Sequence, residues 1–354
     1  MNDLERETQS SHCPLPVGDH GDQITLAYGE GGKLSRRLLH ERLLPRFGNE
    51  QLRLLGDAAL LPTTSGQIAF STDAYTVSPL FFRGGDIGKL AVFGTVNDLA
   101  VSGARPRWLS LSLVIEEGLA WSVLDRVLDS IQIAAITADV AIVTGDTKVV
   151  PRGAVDKLFI TTSGIGDVLI PSPPGPIALQ PEDVLIVSGP IGRHGAAILC
   201  AREQFDFDPA PTSDCSLLTG PLAALHSARV CPRAVRDATR GGVAAILYEW
   251  AESSQLSCVI DESSVPVDAA VRAVCELLGL DPLHLANEGT FVLATPPELV
   301  ERTMTILRQH HVSLRAEVIG RLRPRRTVPV TIVRALGREV TLAEPSGAPL
   351  PRIC

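Results

Sequence analysis

The sequence predicts a two-domain α/β protein, and three observations carry that reading. The chain has 354 residues, more than twice the roughly 150 of one ordinary domain. Two long blocks alternate strand-like and helix-like patterns, the mark of layered α/β domains. Between them lies "PSPPGPIALQPED", with Pro171, Pro173, Pro174, Pro176 and Pro181, too proline-dense for a helix or a central strand. The expected layout is a tail over 1–22, a first domain over 23–170, a linker over 171–182, a second domain over 183–340 and a mobile arm over 341–354.

In the first block "GQIAFSTDAYTV" reads as a strand running into a turn. "DIGKLAVFGTVNDLAVSGA" has helical spacing, with Gly103 as its stop signal. "PRWLSLSLVIE" is a strand, "WSVLDRVLDSIQIAAITAD" an amphipathic helix, and "VAIVTGD" and "KLFITTSGIG" are strands. The second block runs strand "DVLIVSG", helices "HGAAILCAREQF" and "SLLTGPLAALHSA", then "AVRDATRGG". After these come helix "VAAILYEWAESS", strand "LSCVID", helix "DAAVRAVCELLG", strand "TFVLATP", helix "PELVERTMTILRQHH" and further strands.

Hydrophobic residues make up 45% and charged residues 20%, enough to build two cores. Net charge is −8 and aromatics are 4%, which argues against a nucleic-acid-binding face. No apolar run approaches the roughly 20 residues of a membrane span. The acidic N-terminus lacks the apolar stretch of a signal peptide. Seven cysteines with no CxxC fit a reduced, cytoplasmic protein better than a disulfide framework. Cys200, Cys258 and Cys275 sit among apolar residues and read as small buried hydrophobes. Cys354, the last residue of "PRIC", sits on an arm with three prolines and stands apart from them.

Four aspartates occupy apolar runs where a fold alone would not ask for them: Asp57, Asp73, Asp98 and Asp146. Isolated carboxylates are costly to bury, and clustered ones are tolerable when they share divalent cations. For Asp57 and Asp73 the plainer reading is a turn or helix cap. Mid-helix Asp98 beside Asn97 fits that reading poorly. Glycine-rich pieces recur at Gly31–Gly32, at Gly84, Gly85 and Gly88 before Lys89, and at Gly241–Gly242 after Arg240. Backbone amides at helix starts make anion sites, although plain turns explain glycines equally well. Lys148 follows Asp146 and Thr147, so period two puts Lys148 on the face of Asp146 for phosphate contact or acid–base work; a surface ion pair is the alternative. Glu288, in "NEG", precedes a strand and is a candidate catalytic carboxylate. His194 opens a helix and is either a satisfied terminal histidine or a weaker candidate base.

Together "STDAYTVSPLFFRGGDIGKLAVFGTVNDLAVSGARP", "EEGL", "AIVTGDTKVVPRGAVDKLFI", "RDATRGGV", "VCELLGLDPLHLANEG" and "PRIC" resemble the HypE family of hydrogenase maturation factors. The resemblance runs from about Gln23 to Cys354. The long motifs are specific, and the terminal cysteine separates this family from its relatives. Those are the PurM-like aminoimidazole ribonucleotide synthetases, the thiamine-monophosphate kinases and the selenophosphate synthetases. The family pattern places a histidine where this chain has Tyr28.

The resemblance implies a PurM-like two-domain fold whose N-terminal sheet pairs with its twin in a homodimer. It implies ATP and Mg2+ in the cleft. Asp57, Asp73, Asp98 and Asp146 would be the metal and phosphate-side carboxylates. Lys89, Asn97, Thr147, Lys148, Gly31, Gly32, Arg240, Gly241 and Gly242 would contact nucleotide. It further implies a carbamoyl dehydratase. A HypF carbamoyltransferase loads the Cys354 thiol, ATP activates the carbamoyl oxygen, and Glu288, Lys148 or His194 removes nitrogen protons. The resulting thiocyanate passes to a HypC–HypD iron-carrying complex. A different small-molecule kinase or synthetase on the same fold would use the aspartates without the thiol.

Overall fold

The structure is a computed structural model that describes residues 22–29, 32–55, 58–62 and 66–345. The expected tail through residue 21, Gly31, Asp57, and the arm from 346 to Cys354 lie outside the described residues.

In the first domain α1 (Gly32–Leu38) continues through one π turn into α2 (Leu44–Phe47). Then follow β1 (Ile68–Tyr75), β2 (Phe81–Phe82), β3 (Gly85–Asp86), α3 (Ile87–Val101), β4 (Ala104–Glu116), α4 (Trp121–Thr137), β5 (Ala141–Val150) and β6 (Leu158–Val168). The sheet order is β1-β6-β4-β5, with β4 and β5 parallel and the other pairs antiparallel. The α4 crossover makes that parallel pair possible. Along β4, Leu109, Leu111, Leu113 and Ile115 point under the helices, and the residues between them face the other way. That other face is uncovered: Ile68 and Phe70 of β1 are 57% and 66% exposed.

α3 is apolar almost all round, which is what a helix enclosed on all sides requires. One side lies on the first sheet, and another meets β8 and α6 of the second domain. Asp86 caps its start, accepting from the Gly88 and Lys89 amides at 2.8 and 3.0 Å.

The second domain contains β7 (Val184–Val187), α5 (Arg193–Glu203), α6 (Thr219–Ser227), β8 (Ala234–Asp237), α7 (Gly242–Ser254) and β9 (Leu256–Asp261). It continues with α8 (Ala269–Leu278), β10 (Phe291–Thr295), α9 (Val300–Leu307), β11 (Glu317–Pro324), β12 (Val330–Val333) and β13 (Glu339–Thr341). Its sheet order is β13-β12-β9-β11-β7-β10-β8. Apolar clusters lie on both faces, one under α7 and one under α6 and α9. That is why β7 and β10 are buried at every position rather than at alternate ones. The fold is thus the two-domain α/β arrangement expected.

Local departures have local causes. The helix expected over "SLLTGPLAALHSA" begins only at Thr219, because the backbone before it is held by another domain. Asn97 of α3, 2% exposed, donates Nδ2–H to Ser216 O and accepts from Leu218 N, both at 2.9 Å. The helix expected over "PELVERTMTILRQHH" splits into a 3-10 turn (Pro297–Leu299) and α9, whose last carbonyl, Leu307 O, takes the Ser313 hydroxyl at 2.6 Å. Cys200, Cys258 and Cys275 are buried and free. Among the described residues no helix is long and apolar enough to cross a membrane.

Asn97→Ala leaves one buried donor and one buried acceptor unpaired, so it is expected to cost about 2–4 kcal/mol. Urea unfolding measures this; a loss well under 1 kcal/mol would show that the joint does not depend on the amide.

Candidate active site at the domain joint

Period two along β1 puts Ser71, Asp73 and Tyr75 on the face under α3. One turn apart on α3, Thr95 and Asp98 meet them. The Ser71 hydroxyl donates to Asp98 Oδ2 at 2.6 Å. Tyr75 Oη stands 3.3 Å from both Asp73 Oδ2 and Thr95 Oγ1. From the second domain, β8 delivers Asp237, which is 7% exposed, and the segment before β10 delivers Glu288, which is 5% exposed.

Glu288 is held by its neighbours. Asn287 Oδ1 accepts from Gly192 N at 2.6 Å, and its Nδ2–H donates to Ala238 O at 2.8 Å. Asp214 accepts from the Glu288 and Gly289 amides at 3.0 and 3.1 Å and from Thr290 Oγ1 at 2.8 Å. Gly289 has no room for a side chain: a Cβ there would lie 1.8 Å from Asp214 O.

The carboxyl groups raise one another. Burial lifts Asp98 to about 7, Asp237 adding to the shift and the Ser71 hydroxyl opposing it. Burial lifts Asp237 to about 6 against the pull of Arg236. Glu288 rises well above the usual range, first through burial and then through Asp214, Asp237, Asp73 and Asp98. Such a cluster needs protons or cations to persist. Its donors are oxygen alone, which fits a hard divalent cation such as magnesium. Among the described residues no three His, Cys, Asp or Glu side chains stand close enough to hold a metal by themselves. Magnesium usually takes one or two carboxylates and completes its shell with water and phosphate, so Asp73 and Asp98 suit that share.

The other expected residues separate into groups. Asp146, Thr147 and Lys148 lie on β5, at the edge of the sheet opposite Asp73 on β1. Three strand spacings, about 14 Å, lie between those edges. Asp146 and Lys148 pair in register with Ser112 and Val114, on the uncovered face, whereas Asp73 points under α3. Within one chain, therefore, Asp146 does not join Asp73 and Asp98. Asn97, expected at the nucleotide, spends its amide on the domain joint. Lys89 Nζ lies 3.3 Å from Gly84 O and over the Phe93 ring. Gly241 and Gly242, both with positive φ, open α7. A Cβ on Gly242 would lie 2.5 Å from Leu283 O. Gly32 opens α1, and Arg240 is exposed beside α7. Tyr28, where the family pattern has histidine, is 3% exposed and packs edge-on against Trp121 at 4.8 Å. It lines a cavity of about 230 Å³ with Ser35, Asp146 and Thr147.

His194 is corrected as a candidate base. It is fully buried, its Nδ1 lies 2.9 Å from Ser213 Oγ, and burial pushes it down to about 3. A ring held neutral so far below its ordinary value is a poor proton acceptor. Asp237 and Asp214 were not singled out by the sequence reading. Asp237 stands inside "RDATRGG" at a strand end, which was the available signal. Asp214 sits in a polar loop with no periodicity to mark it.

The depressed His194 pKa means that the unfolded chain takes up a proton below about 6.5 which the folded chain refuses. Its contribution is therefore intact above that pH and is lost toward pH 3. His194→Gln should narrow its stability deficit against the parent as pH falls from 7 to 4, by up to about 1.4 kcal/mol per unit. Thermal melts of both proteins across that range check it; a constant deficit contradicts it.

The N-terminal domain model of AIR synthase related proteins matches residues 55–168, and the C-terminal domain model matches residues 180–332. The chain is 45% identical over 342 residues to carbamoyl dehydratase HypE of Escherichia coli K12, covering 94% of this chain and all of that one. It is 42% identical over 340 residues to carbamoyl dehydratase HypE of Rhodobacter capsulatus, covering 94% and 98%. A crystal structure of hydrogenase maturation protein HypE in complex with ATP superposes with a TM-score of 0.88 at 44% identity, covering 93% of this chain and 99% of that one. A thiamine monophosphate kinase from Aquifex aeolicus, covering 88% of this chain and all of that one at a TM-score of 0.58 and 18% identity, shares the fold alone. With full-length identity above 40% and the acidic site at the joint of two AIR synthase related domains, this chain belongs to the HypE carbamoyl dehydratase family.

Proposed function

We propose that this chain dehydrates a carbamoyl group carried on its own Cys354 thiol, consuming ATP and supplying the cyanide ligands of [NiFe] hydrogenase. The observation that carries the reading is where the last described residue lies. The last described residue, Pro345, lies 4.0 Å from where a Cβ of Gly241 would sit, at the glycine start of α7. That start follows Asp237 by four residues. Eight residues separate Pro345 from Cys354, and the nine steps between them span at most about 30 Å.

The chemistry follows from the groups present. The carbamoyl oxygen attacks the γ-phosphorus of ATP, and ADP leaves. The C–O bond then breaks and phosphate departs with that oxygen; one nitrogen proton passes to Glu288 and the other leaves with the phosphate, leaving S–C≡N. An amide-type oxygen leaves poorly until it is phosphorylated. Glu288 is the base: its raised pKa makes its carboxylate a stronger proton acceptor than an ordinary glutamate. Magnesium, held by Asp73 and Asp98, would neutralise charge on the transferring group. The N-terminal end of α7, which Gly242 opens, favours an anion there.

Asp146 and Lys148 enter from a second copy. The uncovered sheet face with Ile68 and Phe70 is the surface for a homodimer. A two-fold pairing that sets β5 of one copy against β1 of the other would carry both groups to the β1 edge, from which Asp73 turns inward to the acidic cluster. A HypF-type carbamoyltransferase is the donor; a HypE–HypF complex at 41% identity, TM-score 0.77, covering 87% of this chain and 99% of that one, supports that partner. A HypC–HypD-type complex is the acceptor. The five described cysteines are free, in keeping with a reducing cytoplasm.

Intact mass after carbamoyl loading, then after ATP and magnesium, tests the reaction. One carbamoyl adduct at Cys354 is expected, followed by loss of one water; an adduct that persists with ATP bound would refute the dehydration. Glu288→Gln should load normally and dehydrate about 10²–10⁴-fold more slowly. Mixing inactive Asp98→Asn and Lys148→Ala chains should restore about a quarter of parent turnover, through heterodimers with one complete site. No recovery after subunit exchange would place both residues in one chain's site.

A further inference from the structure

We infer that Tyr248 and His284 form a clamp that fixes where the thiol-bearing segment leaves the body of the protein. Among the described residues beyond β13 the buried anchor is Leu342, which is 1% exposed and bonded through its amide to Val330 O at 3.2 Å. Two side chains then take the next carbonyls in succession. Tyr248 Oη, on α7, donates to Leu342 O at 2.5 Å. His284 Nε2 lies 2.9 Å from Ala343 O. A carbonyl only accepts, so Nε2 carries the hydrogen. Burial and the nearby Glu344 carboxylate raise the Tyr248 hydroxyl and keep it a donor.

The clamp is mounted on the site itself. Tyr248 lies on the helix that Gly242 opens. His284 belongs to the turn whose neighbouring carbonyls, Leu283 O and Leu285 O, leave Gly242 no room for a side chain. Asp281 steadies that turn by accepting from Leu283 N at 3.0 Å and from Arg334 Nη2 at 3.0 Å. The exit strand, the turn and the glycine start of α7 are therefore one unit. With both donors in place the carbonyls of Leu342 and Ala343 are both held; without them the last hold is Leu342, through its own amide and buried side chain. A longer and less directed tether lowers the effective concentration of the carbamoylated thiol at the site. Tyr248 and His284 are positioning residues and touch no reacting atom.

The inference rests on Cys354 being the reacting thiol, and the test separates the two. Full-length parent, Tyr248→Phe, His284→Ala, the double variant and His284→Gln are loaded by the carbamoyltransferase. Dehydration is then followed in a single turnover by intact mass. ATP affinity and melting temperature are measured alongside. The double variant should bind ATP as the parent does, accept the carbamoyl group as the parent does, and dehydrate about 1.5- to 2-fold more slowly. His284→Gln, whose amide can reach the same carbonyl, should recover most of the His284→Ala loss. Dehydration by the double variant at the parent rate overturns the clamp. An equal fall in ATP affinity and rate also overturns it, because the defect is then in the site. A parent chain that loads but never dehydrates overturns the functional reading instead.

Discussion

One side-chain amide holds the two halves of the site in register. Asn97 offers the second domain an acceptor and a donor, as the backbone of a neighbouring strand would, and captures Ser216 and Leu218. Asp98 is the next residue on the same helix. The captured segment begins two residues after Asp214, whose carboxylate holds the backbone of Glu288 and Gly289. The carboxylates of the candidate site thus come from separate domains and are tied together by these bonds. Their spacing is set by polar contacts sealed inside apolar surroundings, where an unmade hydrogen bond is expensive.

The second constraint is charge. Asp73, Asp98, Asp214, Asp237 and Glu288 gather where few cations approach, and Asp98 and Glu288 are raised first by burial. Evolution rarely keeps such an arrangement for stability, since removing carboxylates from an apolar joint is cheaper than pairing them. The arrangement suits a site prepared for positive charge, with the raised carboxyl groups of Asp214, Asp237 and Glu288 all supplied by the second domain.

The sequence made Asp73 and Asp98 legible because each interrupts an apolar pattern, and such interruptions ask for a chemical reason. Period two correctly put Asp146 and Lys148 on one strand face. It could not reveal that β5 forms the opposite edge from β1, because strand order comes from long-range pairing rather than local spacing. Asn97 looked like a ligand beside an active carboxylate; only the approach of the second domain shows its amide already committed. His194 likewise stood at a helix start, where a base or a satisfied core residue reads the same, and depth decided it. Asp214 had no signal at all, since a loop aspartate becomes informative only when the backbone it supports is seen.

On the proposed pairing, the uncovered face of the first sheet would link catalysis to abundance. If each site borrows Asp146 and Lys148 across that face, a lone chain is a folded protein with no complete site. Turnover per molecule then falls on dilution, well before any loss of structure. The amount of chain in a cell sets how many sites exist as well as how fast they are used.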